Sequence, residues 1–294
     1  MAQAIGRLAP NRAKYTRRVA DPAESTASLF RRIDVNLVMP TDLARGPWDE
    51  RALHGGPVAA LIADAMEQMP DDGIDWFVAR LTMELERPVP TEPLAVDVTV
   101  TRPGRKVSIL DATVTLAATG MVLARGRALR IRQADVRLPF DDPTLAPMLQ
   151  REPAPPGPEH GTDDEITTLE YVGFHNGAVE HRFLDLPAQS DGGVFDWIRM
   201  IVPVFPDRPL TSWQRVAGAA DFANGISHVL PFETHLFLNA DLTIHLFQPM
   251  EGEWVGMASK THHGRRGIGM SDTALFDVNG RIGRSNQSLL LEVR

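Results

Sequence analysis

The chain has 294 residues, 43% hydrophobic and 23% charged, with a formal net charge of −8 and a pI near 5.6. That is a soluble globular composition with ample core material, and its acidity argues against a nucleic-acid partner, which needs a basic face. Cysteine is absent, which excludes disulfides, a cysteine nucleophile and thiolate metal sites and fits a cytoplasmic protein.

Residues 1–24 read as a solvated tail. Its four cations, Arg12, Lys14, Arg17 and Arg18, are not followed by the apolar segment of a signal peptide. No later run reaches the roughly 18 apolar residues that a membrane helix needs. Ser28–Leu37 is strand-like, and Thr41–Trp48 is turn-rich. His54-Gly55-Gly56-Pro57 then leads into VAALIADAMEQM. Proline at the first turn and a run of helix formers predict a helix over about 57–69. Its body, Val58 to Ala63, is so apolar that it should be buried nearly all round.

From Trp76 onward, FVARLTMELERPV, LAVDVTVTRP, KVSILDATVTLA and MVLARGRALRIR follow one another across short breaks, which predicts an antiparallel meander. Residues 136–165 are rich in Pro, Asp, Glu and Gly and read as a linker. Strands near 178–184 and 194–203 precede a second helix near 211–224. A second meander runs through HLFLNADLTIHLFQ, EWVGMASKTHH, GIGMSDTALFDV and RIGRSNQSLLLEV.

The halves repeat. Leu81–Pro88 (LTMELERP) matches Leu242–Pro249 (LTIHLFQP), Gly104-Arg105 matches Gly264-Arg265, and Gly120 matches Gly280, all at an offset near 160. Two copies of one unit follow, each a strand, a buried helix and about four antiparallel strands. The expected organisation is a flexible segment 1–24, a first repeat 25–135, a linker 136–170 and a second repeat 171–294. Two such units hide edges by pairing through edge strands into one continuous sheet.

At this offset Gln287 falls on Arg127, Asn239 on about Val78, and Asp221 near Ala60. The second half is then polar where the first is not. Buried polar groups are costly unless paired, so this asymmetry predicts one working site.

This α+β arrangement resembles the double hot-dog acyl-CoA thioesterases, of the thioesterase II type, over about residues 25–294. The carriers are His54-Gly55-Gly56-Pro57 and Leu81–Pro88 in the first half. In the second they are Ala220-Asp221-Phe222, Asn239–His245 and Gly283–Gln287. The resemblance implies an Asp on the second helix, a hydroxyl residue before an Asp-His-type strand segment, and a Gln on the last strand. The Asp falls on Asp221 and the Gln on Gln287. The hydroxyl position is Asn239, a departure that removes any alkoxide role. The resemblance implies a homo-oligomer, an acyl-CoA substrate, and no cofactor beyond the coenzyme A of the substrate itself.

Thioester hydrolysis needs a water, a base and a group that polarises the carbonyl. Asp221 is the expected general base, its pKa raised by desolvation. Asn239 and Gln287 are expected to orient the water. Backbone N–H groups at His54-Gly55-Gly56 are expected to hold the carbonyl oxygen. Arg105 and Arg265, in matching turns, are candidates for the coenzyme A phosphates. No HExxH, Walker loop or GxGxxG before a helix occurs, so no metal or nucleotide-phosphate site is expected. Ala188-Gln189-Ser190-Asp191-Gly192 lacks the first glycine of a nucleophile elbow. The rival readings are a non-catalytic acyl-CoA-binding module, favoured by Asn239, and an enoyl-CoA hydratase. Asp221 and His228 are seven apart, where hot-dog hydratases use five.

Overall fold

A computed structural model describes residues 27–163, 171–185 and 193–294. The N-terminal cations and the Ala188–Gly192 stretch lie outside these. The first half runs β1 (Phe30–Arg32), β2 (Leu37–Pro40), α1 (Gly55–Glu67), β3 (Trp76–Leu85), β4 (Leu94–Arg102), β5 (Val107–Leu116) and β6 (Val122–Arg132). A short α2 (Ala146–Leu149) lies between the halves. The second half begins with a π-helical turn (Phe174–Ala178), then β7 (Val179–Leu184), β8 (Val194–Met200), α3 (Ser212–Ala220) and α4 (Ala223–Ser227). It closes with β9 (His235–Asn239), β10 (Asp241–Leu246), β11 (Val255–His263), β12 (Ile268–Asp277) and β13 (Gly280–Val293). No described helix is long and apolar enough to cross a membrane.

The strands form one antiparallel sheet in the order β1-β2-β4-β5-β6-β3-β10-β13-β12-β11-β8-β7, with β9 also on β13. The continuous sheet expected from the repeat is present, and β3 and β10 are its seam. Thr82 pairs with Thr243, its own repeat partner, while Leu81 pairs with Ile244 and Met83 with Leu242. A pseudo-twofold axis therefore passes between Thr82 and Thr243, whose hydroxyls are 3.3 Å apart.

The expected first meander needs correcting. β4, β5 and β6 are neighbours in order, but β3 pairs with β6 and not with β4. Residues 86–93 between them include Pro88, Pro90 and Pro93. Such a segment is too long and too poor in N–H donors for a tight hairpin, so it crosses over instead. The expected strand at Ser28–Leu37 likewise divides into the β1–β2 hairpin.

α1 is buried on every side from Gly56 to Asp64, wrapped by β4, β5 and β6 and packed on α3. Leu61 and Ile62, both at most 2% exposed, contribute roughly 1.5–3 kcal/mol each by burial. α4 sits against β11, β12 and β13. The two long helices run antiparallel. The C-terminal end of α3 meets the start of α1 at Gly55, and the start of α3 at Thr211 meets Glu67 near the end of α1.

Candidate active site

The site forms where those helix ends meet. Asp221 follows the last residue of α3, and its side chain is 3% exposed. An acid beside its own helix C-terminus is unfavourably placed. Here it points across to the start of α1, whose N–H groups have no intrahelical partners. Gly55 makes the approach possible, since a Cβ there would lie 2.7 Å from both carboxylate oxygens.

Four groups converge on this carboxylate. Asn239 Nδ2 donates to Oδ1 at 2.8 Å, and Gln287 Nε2 donates to Oδ1 at 3.3 Å and to the Asp221 carbonyl at 3.1 Å. His54 Nδ1 lies 2.8 Å from Oδ2 and 3.0 Å from Gly56 N. A bare lone pair facing a carboxylate at that distance would repel it. Nδ1 therefore carries its hydrogen and donates to Asp221, and the Gly56 N–H serves the same carboxylate. Gln287 is fully engaged, because its Oε1 accepts from Asn224 N at 3.1 Å.

Burial works against the Asp221 charge. The His54 ring, the Asn239 amide and the Gly56 N–H outweigh it and hold the carboxyl below its ordinary range. The expected upward shift is thus overturned, because desolvation is only one contribution and the donors around Oδ1 and Oδ2 exceed it.

Asp221, Asn239 and His54 line a cavity of about 430 Å³ between the halves. Its walls are mainly apolar, as small-molecule sites usually are. Trp48 stacks on Phe232 at 4.4 Å, and Phe237 meets Trp48 edge-on at 5.0 Å. His228 stacks on Phe237 and also lines the cavity. Of the residues singled out in the sequence, Asp221, Asn239, Gln287, His54, Gly55 and Gly56 come together. Arg105 and Arg265 do not join them: both are exposed in hairpin turns and neither lines the cavity.

The structure revises the comparison of halves. Asp221 does not correspond to Ala60. Asp64 and Asp221 each lie ten residues after a helix N-cap, His54 and Thr211 respectively, and each faces the start of the other helix. Asp64 is thus the symmetry partner of Asp221. Thr211 follows His54 by 157 residues but Thr243 follows Thr82 by 161, so the second half has four more residues between helix and seam. Nor does Gln287 correspond to Arg127. Thr82 pairs with Arg127 and Thr243 with Asn286, so Gln287 corresponds to Ala128. One residue of shift reverses the face of a strand. Arg127 points outward to Asp111 at 2.7 Å, while Gln287 points inward.

The asymmetry survives this revision in another form. Asp64 is paired with Arg208 and, at 3.7 Å, with Arg32, and accepts from Gln214 at 3.2 Å. Burial pushes its pKa up against these cations. Arginines thus close off Asp64, whereas Asp221 borders open cavity.

Two cavity features had no signal in the sequence. One is the aromatic wall of Trp48, Phe232 and Phe237. The other is His175, on the π-helical turn. Both depend on loops from separate parts of the chain meeting at one place.

The acyl-CoA thioesterase N-terminal domain family matches residues 44–131, and the acyl-CoA thioesterase C-terminal domain family matches residues 148–291. No curated protein matches by sequence. Solved structures of similar fold include a candidate thioesterase from Novosphingobium aromaticivorans, 20% identical, covering 90% of this chain and 98% of that one at a TM-score of 0.67. An acyl-CoA thioesterase II from Mycobacterium marinum is 17% identical, covers 90% and 96%, and gives a TM-score of 0.63. A hot-dog protein of unknown function from Alicyclobacillus acidocaldarius is 14% identical over 92% and 98%, with a TM-score of 0.66. At these identities the structures carry the fold, and the two domain matches carry the family: the chain is a double hot-dog protein of the acyl-CoA thioesterase family, a thioester hydrolase.

Proposed function

We propose that the second-half site cleaves acyl-CoA by direct attack of water on the thioester carbonyl. Asp221 takes the proton of the water, Asn239 orients it with its amide oxygen, and Gln287 holds Asp221 and the start of α4 in place. The Gly55 N–H at the start of α1 stabilises the oxygen of the tetrahedral intermediate. The acyl chain lies along the wall of Trp48, Phe232 and Phe237. The reaction uses only water and substrate. The observation that supports this reading is the convergence of Asn239, Gln287, His54 and the start of α1 on one buried carboxylate at the cavity wall.

A second assignment of the base has its own support. Both Asp221 oxygens are already hydrogen-bonded, and the carboxyl is held below its ordinary range. Asp221 would then orient His54 through Nδ1–H, and Nε2 would take the proton, as in an acid–histidine dyad. His54→Asn separates the two. Asn retains an N–H for Asp221, so a carboxylate base keeps most of the activity. An imidazole base loses about 10²–10⁴-fold.

The test of the function itself is release of free coenzyme A from a panel of acyl-CoAs, with Asp221→Asn beside wild type. Wild-type turnover that falls about 100-fold or more in the variant is expected under either base. Turnover unchanged by the substitution refutes the site. A cytoplasmic location, in keeping with a chain that lacks cysteine, and assembly as a homo-oligomer belong to the same proposal. Analytical ultracentrifugation tests the assembly.

A further inference from the structure

His175 is the one buried histidine at the cavity wall whose ring nitrogens both lack a partner among the described residues. It is 9% exposed. Leaving a buried donor and acceptor unsatisfied costs about 1–3 kcal/mol each. A leucine would fill the same space without that cost, so packing alone does not account for a histidine here. By contrast, buried His181 has Nδ1 held by Asp196 at 2.6 Å and is absent from the cavity wall.

Its position follows from the turn that carries it. Phe174 packs its ring 5.2 Å from that of His54 and 5.4 Å from Phe222. A Cβ on Gly56 would lie 2.8 Å from Phe174 Cε1, so this turn is pressed against the start of α1. The backbone N–H of Phe174 bonds to the Arg45 carbonyl at 2.9 Å and fixes the turn there. The next side chain, His175, borders the cavity that His54 and Asp221 also line.

We propose that His175 is a further catalytic residue, whose imidazole N–H donates to the thioester carbonyl oxygen as the tetrahedral intermediate forms. This rests on the hydrolase reading above. The water oxygen bonds to the carbonyl carbon and its proton goes to the base. The C–O π electrons move onto the oxygen that His175 and the start of α1 hold. When they return, the C–S bond breaks, its electron pair leaves with the coenzyme A sulfur, and the proton passes from the base to that thiolate. Burial, then the neighbouring His54 and His181, hold the His175 pKa down to about 4. The ring is therefore neutral at working pH and is a fixed N–H dipole, not an acid or a base. The titratable groups that act on it are His54 at the start of α1 and His181 on β7.

The experiment compares wild type, His175→Leu and His175→Gln for coenzyme A release across straight-chain acyl-CoAs, with a melting curve for each. Expected are a kcat lower by about 100-fold in His175→Leu at near-constant KM, a smaller loss in His175→Gln, which keeps an N–H, and melting temperatures no lower than wild type. The acid limb of kcat/KM stays in place in both variants, because the ring does not exchange protons in the reaction. An active wild type with His175→Leu within about fivefold of it, or an effect confined to KM, overturns the proposal alone. A wild type that releases no coenzyme A from any substrate overturns the hydrolase reading and this assignment with it.

Discussion

Gly55→Ala tests whether the closeness of α1 to Asp221 is functional. Helix propensity alone favours the change, by up to about 1 kcal/mol. The new methyl, however, would sit 2.7 Å from both Asp221 oxygens and 2.9 Å from its Cγ, where ordinary contact begins near 3.4 Å. The carboxylate would have to retreat by about 0.7 Å, which stretches its 2.8 Å bonds from Asn239 and His54 to about 3.5 Å. Hydrogen bonds to a charged group are worth about 1.5–3 kcal/mol each, so losing even one exceeds the propensity gain. We expect a net destabilisation of about 1–2 kcal/mol in urea unfolding, and kcat lower by about 100-fold, the usual effect of misplacing a catalytic group by such a distance. A variant more stable than wild type with unchanged kcat would refute the reasoning.

Two further outcomes separate the sites from one another and from the core. Arg208→Met removes the main partner of Asp64, whose side chain is 3% exposed, and should cost about 3 kcal/mol at pH 7. The loss shrinks on acidification as Asp64 takes up a proton, and kcat holds because Asp64 lies at the far end of the helix pair; a neutral substitution would show that the pair contributes nothing. His175 predicts an acid sensitivity. Its folded pKa of about 4 lies below the ordinary histidine value of 6.5, so the unfolded chain takes up a proton first and stability falls as pH drops between those values. The full effect is about 3 kcal/mol, at 1.36 kcal/mol per pH unit. Wild type should therefore lose about 2 kcal/mol more than His175→Gln between pH 7 and pH 4.5, and equal losses would contradict the buried neutral ring.

Much of this protein is legible in its sequence because repetition and periodicity are local properties. The strand repeat at Leu81–Pro88 and Leu242–Pro249 announced two copies of one unit joined in a continuous sheet, and the structure puts the seam on those two repeated strands, β3 and β10. The apolar run after Pro57 gave a helix buried on every side. Asp221 stood out as an acid in an apolar helix, the resemblance to the thioesterase II type marked Asn239 and Gln287, and the fold brings them together with the His54-Gly55-Gly56 turn.

What the sequence could not determine depended on phase and on distant loops. A strand reverses face with every residue, so an offset wrong by one exchanged inward Gln287 for outward Arg127. The four added residues between α3 and the seam hid the equivalence of Asp64 and Asp221. The sign of the Asp221 shift was likewise not local. It depends on a helix start more than 160 residues away in the chain, which supplies His54 and Gly56 to offset the cost of burial. His175 and the Trp48 wall reach the cavity only because the π-helical turn and the loop before α1 pack on the same helix end. Composition and spacing decide what each segment becomes, whereas only the packed chain decides which buried polar groups find partners and which are left without one at the cavity wall.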